Sequence, residues 1–295
     1  MTDIAQQDYH HLLFVHQRRG VYFSRGASPA RTMALARPTK RVAQVGFQAG
    51  YAFARLLQRP APLPASAVAL LANLGLPADE ACVVLRAADP SERVLISLGR
   101  GGEVEWLVKS EQGDSPALHR EAAMLTRLHS ERPGLAPVLA DATSLDGRYA
   151  VIEHAVPRDG FRRFQPEELL EICVQLAGLD ITHGDLAPWN LIRAPGRVVI
   201  CDWESSTDGW VPLHDFAHFV VQSGSLLGRW SPGRAVDLLC GSGSPGSRLA
   251  SQVGLGAQDQ RTAVVDYLES SGQRLDQGSR AAAYRRAMLA RIREF

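Results

Sequence analysis

Apolar residues change their spacing twice along this chain, and those changes limit the folds open to it. From residue 82 the runs CVVLR, RVLISLG and EVEWLVKS have the length and the Val, Ile and Leu content of strands. The last two are joined by RGGE, whose paired glycines suit a hairpin turn. SPALHREAAMLTRLHS then lines Leu118, Ala122, Leu125 and Leu128 on one helical stripe behind a Ser-Pro start. LAPVLAD and RYAVIEHAV return to strand texture. After residue 165 the pattern becomes helical. PEELLEICVQLAGL opens on Pro and two acids and carries Leu169, Cys173 and Leu176 in line. NLIRAPGRVVICDWE predicts a hairpin about a Pro-Gly turn. Residues 212–295 read as three or four helices, broken by a flexible GSGSPGS at 241–247. The expected fold is α+β: a small sheet with a helix inserted after its third or fourth strand, then a helical lobe.

The pattern divides the chain into a partly helical, Arg-rich extension (1–78), a β-rich lobe (79–155) and a helical lobe (156–295). In the extension, RVAQVGFQAGYAFARLLQR spaces Val42, Val45, Ala49, Ala52, Phe53, Leu56 and Leu57 as one amphipathic helix. RPAPLP breaks it, and a short helix over 66–74 follows, stopped by Gly75 and Pro77. Asp3 and Asp8 are the only acids among residues 1–78, against nine Lys and Arg. Two readings of that imbalance stand: a solvated basic face, or a docking surface for a membrane or an anionic partner. The net charge of +1 for all 295 residues argues against bulk nucleic-acid binding. Cys82, Cys173, Cys201 and Cys240 form no CxxC pair, which argues against zinc and a disulfide framework. The apolar stretch ASAVALLANLGL is too short to cross a bilayer, and MTDIAQQDYHH lacks the order of a signal peptide. A cytoplasmic protein is expected; nothing in the sequence indicates an oligomeric state.

The densest chemistry lies in ITHGDLAPWNLI, residues 181–192. His183, Asp185 and Asn190 share one loop, and Asp202 follows twelve residues after Asn190, at the end of the apolar run RVVIC. A loop Asp and Asn with a second Asp at a strand end suit phosphoryl transfer with magnesium. The metal takes oxygen ligands, and one carboxylate must remain to orient the attacking hydroxyl and receive its proton. Lysine scarcity adds a pointer. Of 32 basic residues only Lys40 and Lys109 are lysines, so a lysine marks a place where a planar guanidinium does not serve.

HGDLAPWN followed by ICDWE resembles the catalytic and metal-binding loops of aminoglycoside phosphotransferases and choline-kinase-like enzymes, which share the protein-kinase-like fold. The resemblance covers about residues 82–240 and implies roles residue by residue. Asp185 would be the catalytic base, and Asn190 and Asp202 would hold Mg2+. Lys109, paired with Glu121 on the following helix, would fix the phosphates of ATP or GTP. The turn SLGRGG, with Gly99, Gly101 and Gly102, would cover those phosphates with backbone N–H groups. VIEHAV would join the lobes and offer backbone groups of Glu153 and Ala155 to the base. Asp215 would brace the catalytic loop, with His183 structural rather than a proton carrier.

Two departures bear on the acceptor. Only residues 158–182 lie between the joining segment and the catalytic loop, where the family usually carries a longer helical insertion. Residues 203–295 hold nine acids against ten arginines, a poor match to a polycationic antibiotic. A small hydroxyl compound, neutral or anionic, is therefore the expected acceptor. Twelve residues between Asp202 and Asp215 leave no room for a long activation segment, against a regulated protein kinase. Two alternatives keep the fold: a catalytically weak nucleotide-binding regulatory module, and AMP transfer or phosphorylation of a macromolecule.

Overall fold

The computed structural model describes residues 7, 9–14, 19–24, 62–86, 92–159, 163–273 and 275–294. The chain divides into two compact units, Met1–Pro157 and Arg158–Phe295. The first is β-rich and the second largely helical, the α+β division expected.

The first unit is built on one antiparallel sheet. Its strands are β1 (Tyr9–Phe14), β2 (Arg19–Ser24), β3 (Glu80–Arg86), β4 (Val94–Arg100), β5 (Glu103–Gln112), β6 (Leu139–Leu145) and β7 (Arg148–His154). They lie in the order β1-β2-β3-β4-β5-β7-β6. The β4–β5 turn has Gly101 at φ 57° and Gly102 at φ 95°. Those are the positive angles that a two-residue turn needs to match strand twist, which is why two glycines stand there. Beyond it the pairing jumps from Gly99↔Val104 to Leu98↔Trp106, so Glu105 is an extra, bulged residue.

Two helices cover opposite faces of this sheet. The helix α1 (Ala65–Leu74) ends at Gly75 in the left-handed conformation. Its Ala67, Leu70 and Leu71 pack with Ala81, Val83, Ile96, Leu98, Val108 and Ile152. Val108 and Lys109 are neighbours on a strand and so face opposite ways. The helix α2 (Pro116–Glu131) meets Lys109 and therefore lies on the other face. Ser115 caps α2 by accepting from the Leu118 N–H at 3.3 Å.

The described parts of residues 1–78, read from composition as an extension, supply β1, β2 and α1, and β2 pairs directly with β3. The Arg content that set the segment apart says nothing about pairing, which is decided by register with β3 far along the chain. The amphipathic helix expected over 41–59 lies outside the described residues.

The second unit opens with α3 (Pro166–Gly178), where Gln165 and Glu168 form a reciprocal capping box. Leu169, Cys173 and Leu176 are buried along the expected stripe. Four short strands follow: β8 (Ile181–Thr182), β9 (Leu191–Ala194), β10 (Arg197–Ile200) and β11 (Thr207–Asp208). β9 and β10 are the Pro-Gly hairpin, and β11 pairs back onto β8. The described residues beyond them hold five helices, not three or four: α4 (His214–Ser225), α5 (Pro232–Cys240), α6 (Pro245–Gln252), α7 (Ala257–Gln273) and α8 (Arg280–Arg293). The extra helix begins inside the segment expected to be flexible, because Ser244 caps it and Pro245 suits its first turn. No helix among the described residues is long and apolar enough to cross a membrane.

Phe23 on β2 is fully buried. Phe23→Ala is expected to cost about 3–5 kcal/mol, read as a lower midpoint in urea unfolding of the whole chain. A segment independent of the sheet would leave that midpoint in place.

Candidate active site

In the first unit the site residues gather around Lys109. It ends the apolar part of β5 and is 7% exposed, a state an ammonium tolerates only beside opposite charge. Glu121 of α2 supplies it, with Oε1 2.5 Å from Nζ. A second buried carboxylate, Glu153 of β7, lies with Oε1 3.7 Å from the same Nζ and with no hydrogen-bond donor on that oxygen. Expectation for Glu153 concerned its backbone; its side chain is the finding. The register explains it, since Val151 pairs with Lys109 and Glu153, two residues on, shares that face. One buried ammonium thus meets two buried carboxylates.

Two groups expected at the nucleotide have other partners here. The Gly101 N–H donates to Asp79 Oδ2 at 3.1 Å, and the Gly99 carbonyl accepts from the Asp79 N–H at 3.0 Å. A carboxylate thus holds one N–H expected to cover phosphate. The Ala155 N–H, expected to face the base, donates to the carbonyl of the bulged Glu105 at 2.8 Å. Gly102 shares the turn with Gly101.

In the second unit the loop after β8 is held from several sides. Asp215, in the first turn of α4 and 4% exposed, accepts from the backbone N–H of His183 at 2.8 Å and of Gly184 at 2.9 Å. Hydrogen bonds to a charged acceptor are worth roughly 1.5–3 kcal/mol each, so this one side chain sets the start of the loop. Gly184 has φ +82°, and a Cβ there would lie 2.3 Å from the Ser205 carbonyl oxygen. Only glycine fits between His183 and Asp185.

His183 is fully buried, and both ring nitrogens are engaged. Nε2 donates to the Cys201 carbonyl at 3.1 Å, and Nδ1 accepts from the Asp185 N–H at 3.2 Å. That makes it a strut between the two segments. The Asn190 carbonyl accepts from the Cys201 N–H at 2.8 Å, a second tie. Trp203, fully buried, sets its ring edge-on to His183 at 4.6 Å and donates from Nε1 to the Ile200 carbonyl. Between these anchors Asp202 adopts φ 74° and ψ 57°, a left-handed backbone that costs a non-glycine residue about 1–2 kcal/mol.

Asp185 itself is open, its side chain 37% exposed. Asn190 donates from Nδ2 to the Asp185 carbonyl at 2.8 Å and to its Oδ2 at 3.1 Å. His218 of α4 places Nε2 2.8 Å from Oδ1. Sequence reasoning missed His218. The signal was there: it lies three residues beyond Asp215, on the same helical face. Among the described residues no cluster of three His, Cys, Asp or Glu side chains could hold a metal ion by itself.

Burial pushes the Asp215 carboxyl up, but the His214 hydrogen bond, the charges of His183 and His214 and the His183 amide outweigh it, leaving it below the ordinary 3.8. Burial lowers His183 below its ordinary 6.5, more than Asp215, the Cys201 carbonyl and the Asp185 and Asp202 charges raise it.

No family model matches the chain, and neither does any curated protein. Solved structures of WbdD are similar. A complex of WbdD with a kinase inhibitor gives 15% identity over 66% of this chain and 50% of that one, at a TM-score of 0.41. A structure described as the bifunctional kinase-methyltransferase WbdD gives 14%, 60% and 47%, at 0.38. A higher-resolution WbdD structure gives 14%, 61% and 48%, at 0.39. The chain spans about half the length of these structures.

Both pKa shifts predict acid lability. Unfolding lets His183 take a proton that its folded site disfavours, so stability falls as pH drops below the ordinary 6.5. Asp215 is lowered, so its contribution is present above the ordinary 3.8 and is lost as pH falls through its folded value. Chemical denaturation at a series of pH values checks this, and His183→Asn is expected to flatten the upper of the two windows. Gly184→Ala is expected to cost more than about 1 kcal/mol in the same assay.

Proposed function

We propose that the chain is a phosphotransferase that moves the γ-phosphate of ATP or GTP to a hydroxyl of a small molecule. The observation that carries this reading is the loop at Asp185: a partly exposed carboxylate whose neighbours are all fixed, tied to the turn that carries Asp202. Asp185 would orient the hydroxyl and receive its proton as the new O–P bond forms and the bond to the leaving nucleoside diphosphate breaks. Lys109, held by Glu121, would bind the phosphates as a compact cation.

The donor set at the metal position is one carboxylate, Asp202, and one amide oxygen, Asn190. That is too little for an all-protein cage but suits magnesium, which keeps waters and phosphate oxygens for its other positions. Magnesium, when bound, would neutralise charge on the phosphates. The near balance of acids and arginines over 203–295 supports a neutral or anionic acceptor rather than a polycation.

A second reading, a nucleotide-binding module with weak turnover, is favoured by one observation. The Gly101 and Ala155 amides are engaged by Asp79 and Glu105 instead of facing outward for a ligand. Titration calorimetry with ATP and GTP, with and without magnesium, and turnover against sugars, amino alcohols and aminoglycosides separate the two. On the phosphotransferase reading, Asp202→Ala weakens the magnesium-dependent part of binding. Asp185→Ala keeps binding and lowers turnover by roughly 10²–10⁴-fold. Binding without turnover across the whole panel supports the module, and absence of magnesium-dependent binding removes both readings.

A further inference from the structure

The roles proposed above leave His218 without one, although it contacts Asp185 directly. His218 has a side chain 12% exposed, with Nε2 2.8 Å from Asp185 Oδ1. Its other nitrogen, Nδ1, lies 3.2 Å from the hydroxyl of Tyr267 on α7. The Tyr267 ring stands edge-on to the imidazole at 5.9 Å and is 3% exposed. A file of polar groups therefore runs from α7 through α4 to the carboxylate.

The direction of the bonds in that file follows from its carboxylate end. An ionised carboxylate has acceptors only, so His218 Nε2, 2.8 Å from Oδ1, must carry a hydrogen. In that tautomer Nδ1 is bare and accepts from the Tyr267 O–H at 3.2 Å. Gln222 also reaches Nε2, with its amide nitrogen at 3.2 Å; amide oxygen and nitrogen exchange places by a flip, and the Nε2-protonated ring requires the oxygen there. His214, stacked at 6.2 Å, makes no hydrogen bond to the ring.

We propose that Tyr267 and His218 form a directed hydrogen-bond chain, Tyr267 O–H to Nδ1 and Nε2–H to Asp185, that fixes the Asp185 carboxylate. His218 is a positioning residue. It holds Oδ1 while Asn190 holds Oδ2, which stops rotation of the carboxylate and leaves its remaining lone pairs aimed for the incoming hydroxyl. The consequence for turnover rests on the phosphotransferase reading; the tautomer does not.

The test has two arms on the full-length protein. Long-range proton–nitrogen NMR correlations of the histidine rings at neutral pH, assigned with His218→Gln, read the tautomer directly. The expected pattern is protonated Nε2 and bare Nδ1, giving way to mixed tautomers in Tyr267→Phe. An Nδ1-protonated or doubly protonated ring, or a pattern that Tyr267→Phe leaves unchanged, overturns the proposal.

Magnesium-dependent turnover of ATP and GTP, read as slow hydrolysis, is the second arm. His218→Ala is expected to lower kcat by roughly tenfold to a hundredfold with the nucleotide KM unchanged. His218→Gln, which keeps an N–H donor, recovers part of the loss. Wild-type kcat in His218→Ala overturns the positioning role. A wild type without turnover sinks the phosphotransferase reading instead, and the spectra still decide the chain.

Discussion

A single buried carboxylate organises the second unit. Asp215 sits in the first turn of α4 and receives the backbone N–H groups of His183 and Gly184, the two residues that lead into Asp185. Backbone amides have no freedom to seek other partners once the chain is laid down, so two such bonds set the path of the loop more firmly than side-chain contacts would. The remaining ties follow from that path. His183 can reach the Cys201 carbonyl only because its own amide is held, and Gly184 must be glycine because the held loop passes against Ser205. Asp202 then accepts a left-handed backbone at some cost, a strain kept only where the surroundings determine it.

The first unit concentrates charge in a different manner. Lys109 stands between Glu121 and Glu153, all three nearly excluded from water. One carboxylate would suffice to pair the ammonium; here a second one shares it. Such an arrangement is costly in a low-dielectric interior and gives Lys109 two competing partners. The chain's near-total preference for arginine makes the point sharper. The lysine retained here has a compact ammonium that two buried carboxylates can both approach.

His218 and Tyr267 extend the constraint behind Asp185 into the helical core. Hydrogen-bond polarity, more than distance, gives that extension its meaning: an acceptor-only carboxylate at one end calls for a hydrogen on Nε2, and the phenol then meets a bare Nδ1. The helix α7, whose sequence carries no chemical signature, thereby comes to bear on a loop about eighty residues upstream.

Much of this was legible in the sequence because it is local. The strand runs from residue 82, the stripe of Leu169, Cys173 and Leu176, the hairpin about Pro195 and Gly196, and the grouping of Asp185, Asn190 and Asp202 follow from spacing and residue type, while Lys109 and Glu121 were paired through the resemblance. Periodicity and turn chemistry act within a few residues, so one chain suffices to read them. What stayed hidden depends on register and packing between distant segments. β2 becomes a strand by pairing onto β3, and β1 by pairing onto β2. Glu153 faces Lys109 because β7 pairs with β5 at one register and not the next. The Gly101 and Ala155 amides are engaged by groups that the hairpin and its bulge bring near. Tyr267 meets His218 across two helices separated by nearly fifty residues. The sequence by itself determined which chemical groups the chain carries and the local elements that bear them. Only the tertiary structure decided which of those groups touch, because register and helix packing are settled by burial summed over the whole unit.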